Sequence, residues 1–147
     1  MIGWRVGWIV GPPKIIGDIG HVCISNVVTP VGIAQAAVAA ALAAPDADLH
    51  AAVTEWQRRR DLIIGELEGF RVIRPAGGWS LLVDVATLGQ DSATASRRLM
   101  DLGRIAATPM VNWGSERSDR YVRFVFSNEP CERLRGLGAR VRRALGA

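Results

Sequence analysis

Two arginines of this 147-residue sequence lie inside apolar stretches, where a guanidinium must either meet an anion or reach solvent. Arg5 interrupts WRVGWIV (residues 4–10), and Arg123 is centred in RYVRFVF (residues 120–126). The first stretch is apolar on both faces apart from Arg5, which is typical of a buried strand. A buried and unpaired guanidinium is costly, so we expect an acidic side chain or a phosphate beside Arg5.

The strand pattern of RYVRFVF determines what Arg123 can do. Alternation places Val122, Phe124 and Phe126 on a core face and Arg123 on the opposite face. From that face the side chain can extend to solvent along its aliphatic stem. It can also hold a carboxylate through two parallel hydrogen bonds, because the guanidinium fork matches the carboxylate geometry. The residues alone leave both interpretations open.

The composition indicates a folded domain, since 49% of the residues are hydrophobic and 22% are charged. The net charge is +4, and the 18 basic residues include a single lysine, Lys14. The arginines are dispersed among acidic residues, which favours a solvated surface over a nucleic-acid interface. The alanine-rich run at 33–44 is shorter than the roughly 20 residues that span a bilayer. No nucleic acid, membrane or metal ion is therefore expected as a partner.

The order of elements predicts an α/β fold that begins at residue 47. Ahead of it, a strand at 4–10 and an irregular stretch at 15–32 precede a helix from about Val31 to Ala44. The later elements are predicted as a helix (47–67), two strands (70–74 and 79–85), a helix capped by Asp91 (93–102), two strands (104–110 and 120–126) and a C-terminal helix from near Pro130. Because these later elements can cover one another, 47–147 is predicted as one domain and 1–46 as a separate segment.

Six segments, in order, resemble the C-terminal portion of a class I/II aminotransferase, a pyridoxal-phosphate enzyme of fold type I. They are GWRVG, PVGIAQAAVAAAL, EWQRRRDLIIGEL, PAGGWSLLVDV, TPMVNWG and YVRFVFSNEP. The resemblance implies that 47–147 is the small C-terminal domain. It also implies that 1–46 is a remnant of the large cofactor domain, with one strand and one helix.

The resemblance also implies roles for individual residues. Arg5 matches the arginine that holds the cofactor phosphate, and Arg123 matches the arginine that binds the α-carboxylate of the substrate. Trp79, Asn112 and Trp113 are expected near the substrate. The complete enzyme would move an amino group between an amino acid and a 2-oxo acid. The ending YVRFVFSNEP is most similar to enzymes that act on N-succinyl-diaminopimelate, and a cytoplasmic homodimer that associates through residues 1–46 is expected.

No catalytic residue is assigned within the 147 residues. In the family motif S/K-x-x-F-x-x-T-G-W-R, the lysine that binds pyridoxal phosphate falls before residue 1 when the arginine is Arg5. Ile2 stands in the threonine position, and Lys14 matches no catalytic position. Because the cofactor chemistry needs that lysine, this chain alone is expected to be inactive.

Two alternatives without catalysis remain at this stage. One is a basic module that binds a protein or nucleic-acid partner, which would need clustered arginines with exposed aromatic side chains between them. The other is a regulatory subunit that docks on a full-length relative. The sequence does not separate this second alternative from a partial enzyme.

Overall fold

The computed structural model describes residues 2–114 and 116–147. The chain divides into two compact units, which we call the first unit (Met1–Ala47) and the second unit (Asp48–Ala147). The first unit holds a short 3-10 turn, Ile2–Trp4, and two helices, α1 (Pro13–Asn26) and α2 (Gly32–Ala43). The helix predicted from about Val31 to Ala44 is thus confirmed as α2.

The strand predicted at 4–10 is wrong, because residues 5–12 have no regular secondary structure. A strand needs a neighbour for its backbone N–H and C=O groups. The four strands that the structure describes all lie within residues 72–125. The first unit therefore offers residues 4–10 no strand to pair with. The first unit therefore contains two helices where a strand and a helix were expected.

The irregular stretch predicted at 15–32 is also wrong over most of its length, since α1 covers it. Pro13 is the first residue of α1, where its fixed φ suits a helix and its missing N–H is not needed. Gly17 and Gly20 lie inside the helix and lower its intrinsic propensity, so the local sequence pattern favours an irregular segment.

The second unit contains a four-stranded antiparallel sheet with helices beside it, which confirms the predicted α/β class. Its elements are α3 (Ala47–Glu66), β1 (Val72–Ile73), β2 (Ser80–Asp84), α4 (Ser92–Gly103), β3 (Thr108–Pro109), β4 (Tyr121–Val125), α5 (Cys131–Leu134) and α6 (Leu137–Leu145). The strands lie in the order β1-β2-β4-β3, so β4 is a central strand. Asp91 caps α4 by accepting a hydrogen bond from the Thr94 N–H, as predicted.

The main hydrophobic cluster lies within the second unit. It joins α3, the inner face of the sheet, α4, α5 and α6, and its fully buried members include Val83, Leu99, Val122 and Val141. The predicted C-terminal helix is present as two pieces, α5 and α6. Gly136 separates them with φ +73°, a left-handed conformation that glycine adopts without a steric cost.

Within the described part of the chain, no single helix is long and apolar enough to cross a membrane. Helices α2 and α3 satisfy length and composition criteria for a span only when they are taken together.

Candidate functional site

Arg123 occupies the middle of the central strand β4. Its backbone lies opposite Leu82 of β2 and Thr108 of β3. The neighbouring residues Val122 and Phe124 are buried, whereas Arg123 is half-buried on the other face of the sheet. The alternation predicted from the sequence is therefore confirmed, and it directs the guanidinium away from the hydrophobic cluster.

The guanidinium of Arg123 has an aromatic neighbour and an unsatisfied donor. Its carbon Cζ lies 4.6 Å from the ring centroid of Trp113. Its Nε is buried and has no hydrogen-bond partner among the described residues. A buried N–H without a partner is rare in proteins, because it loses its hydration and gains nothing in return. A bound carboxylate would satisfy this donor and the adjacent Nη group together.

A second arginine of the same strand region is already paired. Arg120 donates from Nε to Asp84 Oδ1 at 3.0 Å and from Nη2 to Asp84 Oδ2 at 2.6 Å. Arg71 approaches the same carboxylate at 3.7 Å. The hydrogen bond to Asp84 raises the pKa of the Arg120 guanidinium above its ordinary value. Arg120 and Asp84 thus neutralise each other, and this pair stabilises the fold without leaving a free binding group.

The sequence analysis missed Asp84, whose side chain is fully buried at the end of β2. A signal was present, because Asp84 is the one charged residue in the apolar run SLLVDV. A carboxylate at such a position requires a cationic partner. Which of the arginines pairs with it depends on the register between β2 and β4, where Asp84 lies opposite Tyr121, the residue after Arg120.

Arg5 lies in the first unit, directly after the 3-10 turn Ile2–Trp4. Arg5 is exposed, so the buried position predicted for it from WRVGWIV is wrong, because residues 5–12 form no strand that could enclose it. Its φ of +54° is left-handed, an uncommon conformation for a residue other than glycine. Lys14 is exposed in the first turn of α1, after Pro12 and Pro13. Across 2–114 and 116–147, no three or more His, Cys, Asp or Glu side chains are grouped so as to hold a metal ion.

The family comparison gives one match over most of the chain. A family model described as "Aminotransferase class I and II" matches residues 1–135. Arginine–pyruvate transaminase of Pseudomonas aeruginosa is 35% identical over 104 residues, which are 69% of this chain and 26% of that protein. Aspartate/prephenate aminotransferase of Thermus thermophilus is 32% identical over 114 residues, which are 74% of this chain and 29% of that protein.

Solved structures agree with these sequence matches. An aspartate aminotransferase from Thermus thermophilus, solved with maleate, has a TM-score of 0.81 and 30% identity, over 98% of this chain and 38% of that chain. An aromatic aminotransferase from Pyrococcus horikoshii has a TM-score of 0.80 and 26% identity, over 99% of this chain and 40% of that chain. The 147 residues thus span between about a quarter and two fifths of the length of these relatives.

Proposed function

Because the chain belongs to the class I and II aminotransferase family, we propose that it is the C-terminal portion of an aminotransferase. The complete protein would transfer an amino group between an amino acid and a 2-oxo acid. Members of this family use pyridoxal phosphate. In this proposal 1–46 is part of the large cofactor domain, and 47–147 is the small domain that contacts the substrate.

The buried Nε of Arg123, which has no partner among the described residues, is the observation that carries the proposal. Nε and one Nη group of a guanidinium form a planar pair of donors that matches the two oxygens of a carboxylate. We propose that the α-carboxylate of the amino acid binds to this pair of donors. Arg123 would then bind the substrate and orient its α-carbon, while the chemical step takes place elsewhere on the substrate.

In this proposal, the arginines of this chain hold the anionic ends of the substrate and cofactor, and no residue of the 147 is assigned to the covalent chemistry. Arg5 is proposed to hold the phosphate of pyridoxal phosphate, as its match to GWRVG implies. When bound, this cofactor would supply an aldehyde that takes up the amino group and an electron-withdrawing pyridine ring. Lys14 is the one lysine of the sequence, and its place after two prolines matches no catalytic position. We therefore propose no transaminase activity for the 147 residues alone.

Three finer assignments are also proposals. The substrate is a dicarboxylic amino acid, with N-succinyl-diaminopimelate suggested by YVRFVFSNEP. The protein is cytoplasmic. It associates as a homodimer, or with the rest of an aminotransferase, through residues 1–46.

The carboxylate site can be tested by NMR on the 147-residue chain. Arginine Nε–H resonances are recorded while glycine is added at constant ionic strength. We expect one resonance to shift saturably as glycine is added. This resonance should be missing from the spectrum of Arg123→Lys and present in that of the matched control Arg143→Lys. Glycinamide, which lacks the carboxylate, should leave it unmoved. The proposal fails if glycine moves no Arg123 resonance, or if glycinamide moves it equally.

The cofactor assignment has its own test. Pyridoxal phosphate is mixed with the chain, and the absorbance band of a lysine-bound cofactor is sought alongside a transaminase assay. We expect neither a stable band nor activity. A stable band that disappears in Lys14→Ala would show that Lys14 binds the cofactor and would contradict the assignment.

A further inference from the structure

Hydrophobic burial does not explain the position of the Trp113 indole. Its side chain remains 59% exposed, so packing into the cluster of the second unit is not its role. One contact distinguishes it, the guanidinium of Arg123 with Cζ 4.6 Å from the ring centroid. At this distance the positive charge is attracted by the electron-rich face of the ring.

Backbone hydrogen bonds hold Trp113 at that position. Met110 N–H donates to the Tyr121 carbonyl at 3.0 Å, which ties the segment to β4. Trp113 N–H then donates to the Met110 carbonyl at 3.0 Å and closes a turn. Asn112 lies inside the turn with φ +68°, a left-handed conformation that asparagine tolerates better than most residues. The turn therefore holds the backbone of Trp113 beside β4, within reach of Arg123.

Cζ of Arg123 lies over the ring of Trp113. A guanidinium that stacks in parallel on an aromatic ring, as arginines commonly do, keeps its edge available. The hydrogen atoms of Nε and the Nη groups lie in the guanidinium plane, so the edge can still donate to a carboxylate. Nε of Arg123 has no hydrogen-bond partner among the described residues, so no hydrogen bond at this atom orients the plane.

We infer that Trp113 is a positioning residue, whose indole fixes the guanidinium plane of Arg123 so that its edge meets the substrate carboxylate. This inference rests on the proposed role of Arg123 as the carboxylate-binding group. Trp113 touches the guanidinium and acts on the substrate through it.

The experiment compares three variants of the 147-residue chain by NMR and by thermal unfolding. Trp113→Leu removes the ring, Trp113→Phe keeps a smaller ring, and Trp56→Leu is the matched control, since Trp56 is a partly exposed tryptophan of α3. In Trp113→Leu we expect the Arg123 Nε–H resonance to shift and its heteronuclear NOE to fall. Glycine should bind about 3- to 10-fold more weakly. Trp113→Phe should recover most of both properties, and Trp56→Leu should change neither.

The outcomes separate this inference from the proposed function. Suppose that the wild-type chain binds glycine, and that Trp113→Leu binds it equally well or keeps the same Arg123 Nε–H shift and NOE. The positioning role of Trp113 is then wrong, while the carboxylate site at Arg123 stands. If the wild-type chain does not bind glycine, the proposed function is wrong and the inference falls with it. Equal thermal midpoints for Trp113→Leu and Trp113→Phe exclude unfolding as the cause of a difference.

Discussion

At the scale of single residues, two arginines three positions apart have different surroundings. Arg120 is bound to the buried carboxylate of Asp84 through two hydrogen bonds. Cζ of Arg123 lies over the ring of Trp113, and its buried Nε has no partner among the described residues. Charge and position along the chain alone therefore do not distinguish these two arginines, whereas their hydrogen-bond partners do.

The pairing of Arg120 with Asp84 leads to a prediction about stability. Asp84→Asn should lower the thermal midpoint clearly, because it leaves the guanidinium of Arg120 beside a neutral amide in a site where the carboxylate is fully buried. Asp61→Asn is the matched control, since the Asp61 side chain is 52% exposed and exposed ion pairs contribute little. Circular dichroism melting curves measure both changes, and equal midpoints for the two variants would contradict the prediction.

Some of these residue-level features could be predicted from the sequence and others could not. The direction of Arg123 follows from strand alternation, which needs only the local pattern around RYVRFVF. Its contact with Trp113 depends on the left-handed turn at Asn112, and no periodicity indicates that turn. The partner of Asp84 depends on which strand lies beside β2, so it becomes visible only after the sheet order is known.

At the scale of elements, the N-terminal cap of α4 gives a stability that depends on pH. Asp91 accepts hydrogen bonds from the backbone N–H of Thr94 at 2.8 Å and from its hydroxyl at 2.9 Å. Both bonds lower the pKa of the Asp91 carboxyl below its ordinary value of 3.8, and the backbone bond has the larger effect. A carboxyl with a lowered pKa contributes its full stabilisation above the ordinary value. It loses this contribution as the pH falls from that value through the lowered pKa of the folded state.

Asp91→Ala should therefore lower the thermal midpoint by a few degrees near neutral pH, and this deficit should shrink in acid below the ordinary pKa. Asp91→Asn is the control, because asparagine caps a helix without titrating. Its midpoint relative to the wild type should not fall further in acid. A deficit of Asp91→Ala that stays constant from neutral pH into acid would show that the charged cap is not the cause.

The junction of α3 and α6 gives a sharper mutational prediction. Gly138 lies at the start of α6, and its N–H donates to Glu66 Oε2 at 3.1 Å. A Cβ atom at this position would overlap the backbone carbonyl oxygen of Glu66, which cannot rotate away as a side chain could. Gly138→Ala should therefore lower the free energy of unfolding by about 1–3 kcal/mol or more.

The control for this prediction is Gly65→Ala, one residue before Glu66 in α3, where an added Cβ meets open space. Alanine is the better helix former, so this variant should be neutral or more stable by up to about 1 kcal/mol. Urea unfolding followed by circular dichroism measures both. If Gly138→Ala is as stable as Gly65→Ala, the close approach of α6 to α3 is wrong.

The elements that were wrongly predicted share a physical cause. The strand expected at 4–10 and the loop expected at 15–32 both belong to the first unit, whose local pattern is ambiguous. An apolar run such as WRVGWIV becomes a strand only beside another strand, and glycines in PKIIGDIGHV weaken a helical pattern without preventing the helix. The second unit was predicted well because its helices and strands cover one another, so local pattern and burial agree.

At the scale of the whole chain, the two units differ in where their apolar surface lies. The second unit buries a continuous cluster that runs from Ile63 to Leu145. In the first unit, by contrast, Trp8 is 64% exposed and Val10 is 88% exposed, and helix α1 has no buried residue. Exposed apolar patches of this kind mark interaction surfaces or aggregation sites.

The last prediction concerns what this surface does in the isolated chain. Burying apolar surface contributes about 25 cal/mol per Å² to stability. Several apolar side chains left exposed therefore lose several kcal/mol of stabilisation, which is comparable to the stability of a small domain. The first unit should therefore associate with a second copy or be cleaved early by protease, while the second unit survives. Sizing chromatography with limited proteolysis measures both properties. As a control, Ile33→Ser, at a side chain that is 77% exposed, should reduce association without destabilising the second unit. A monomeric chain whose first unit resists cleavage would mean that this unit is stable by itself, and the proposed association through residues 1–46 would be wrong.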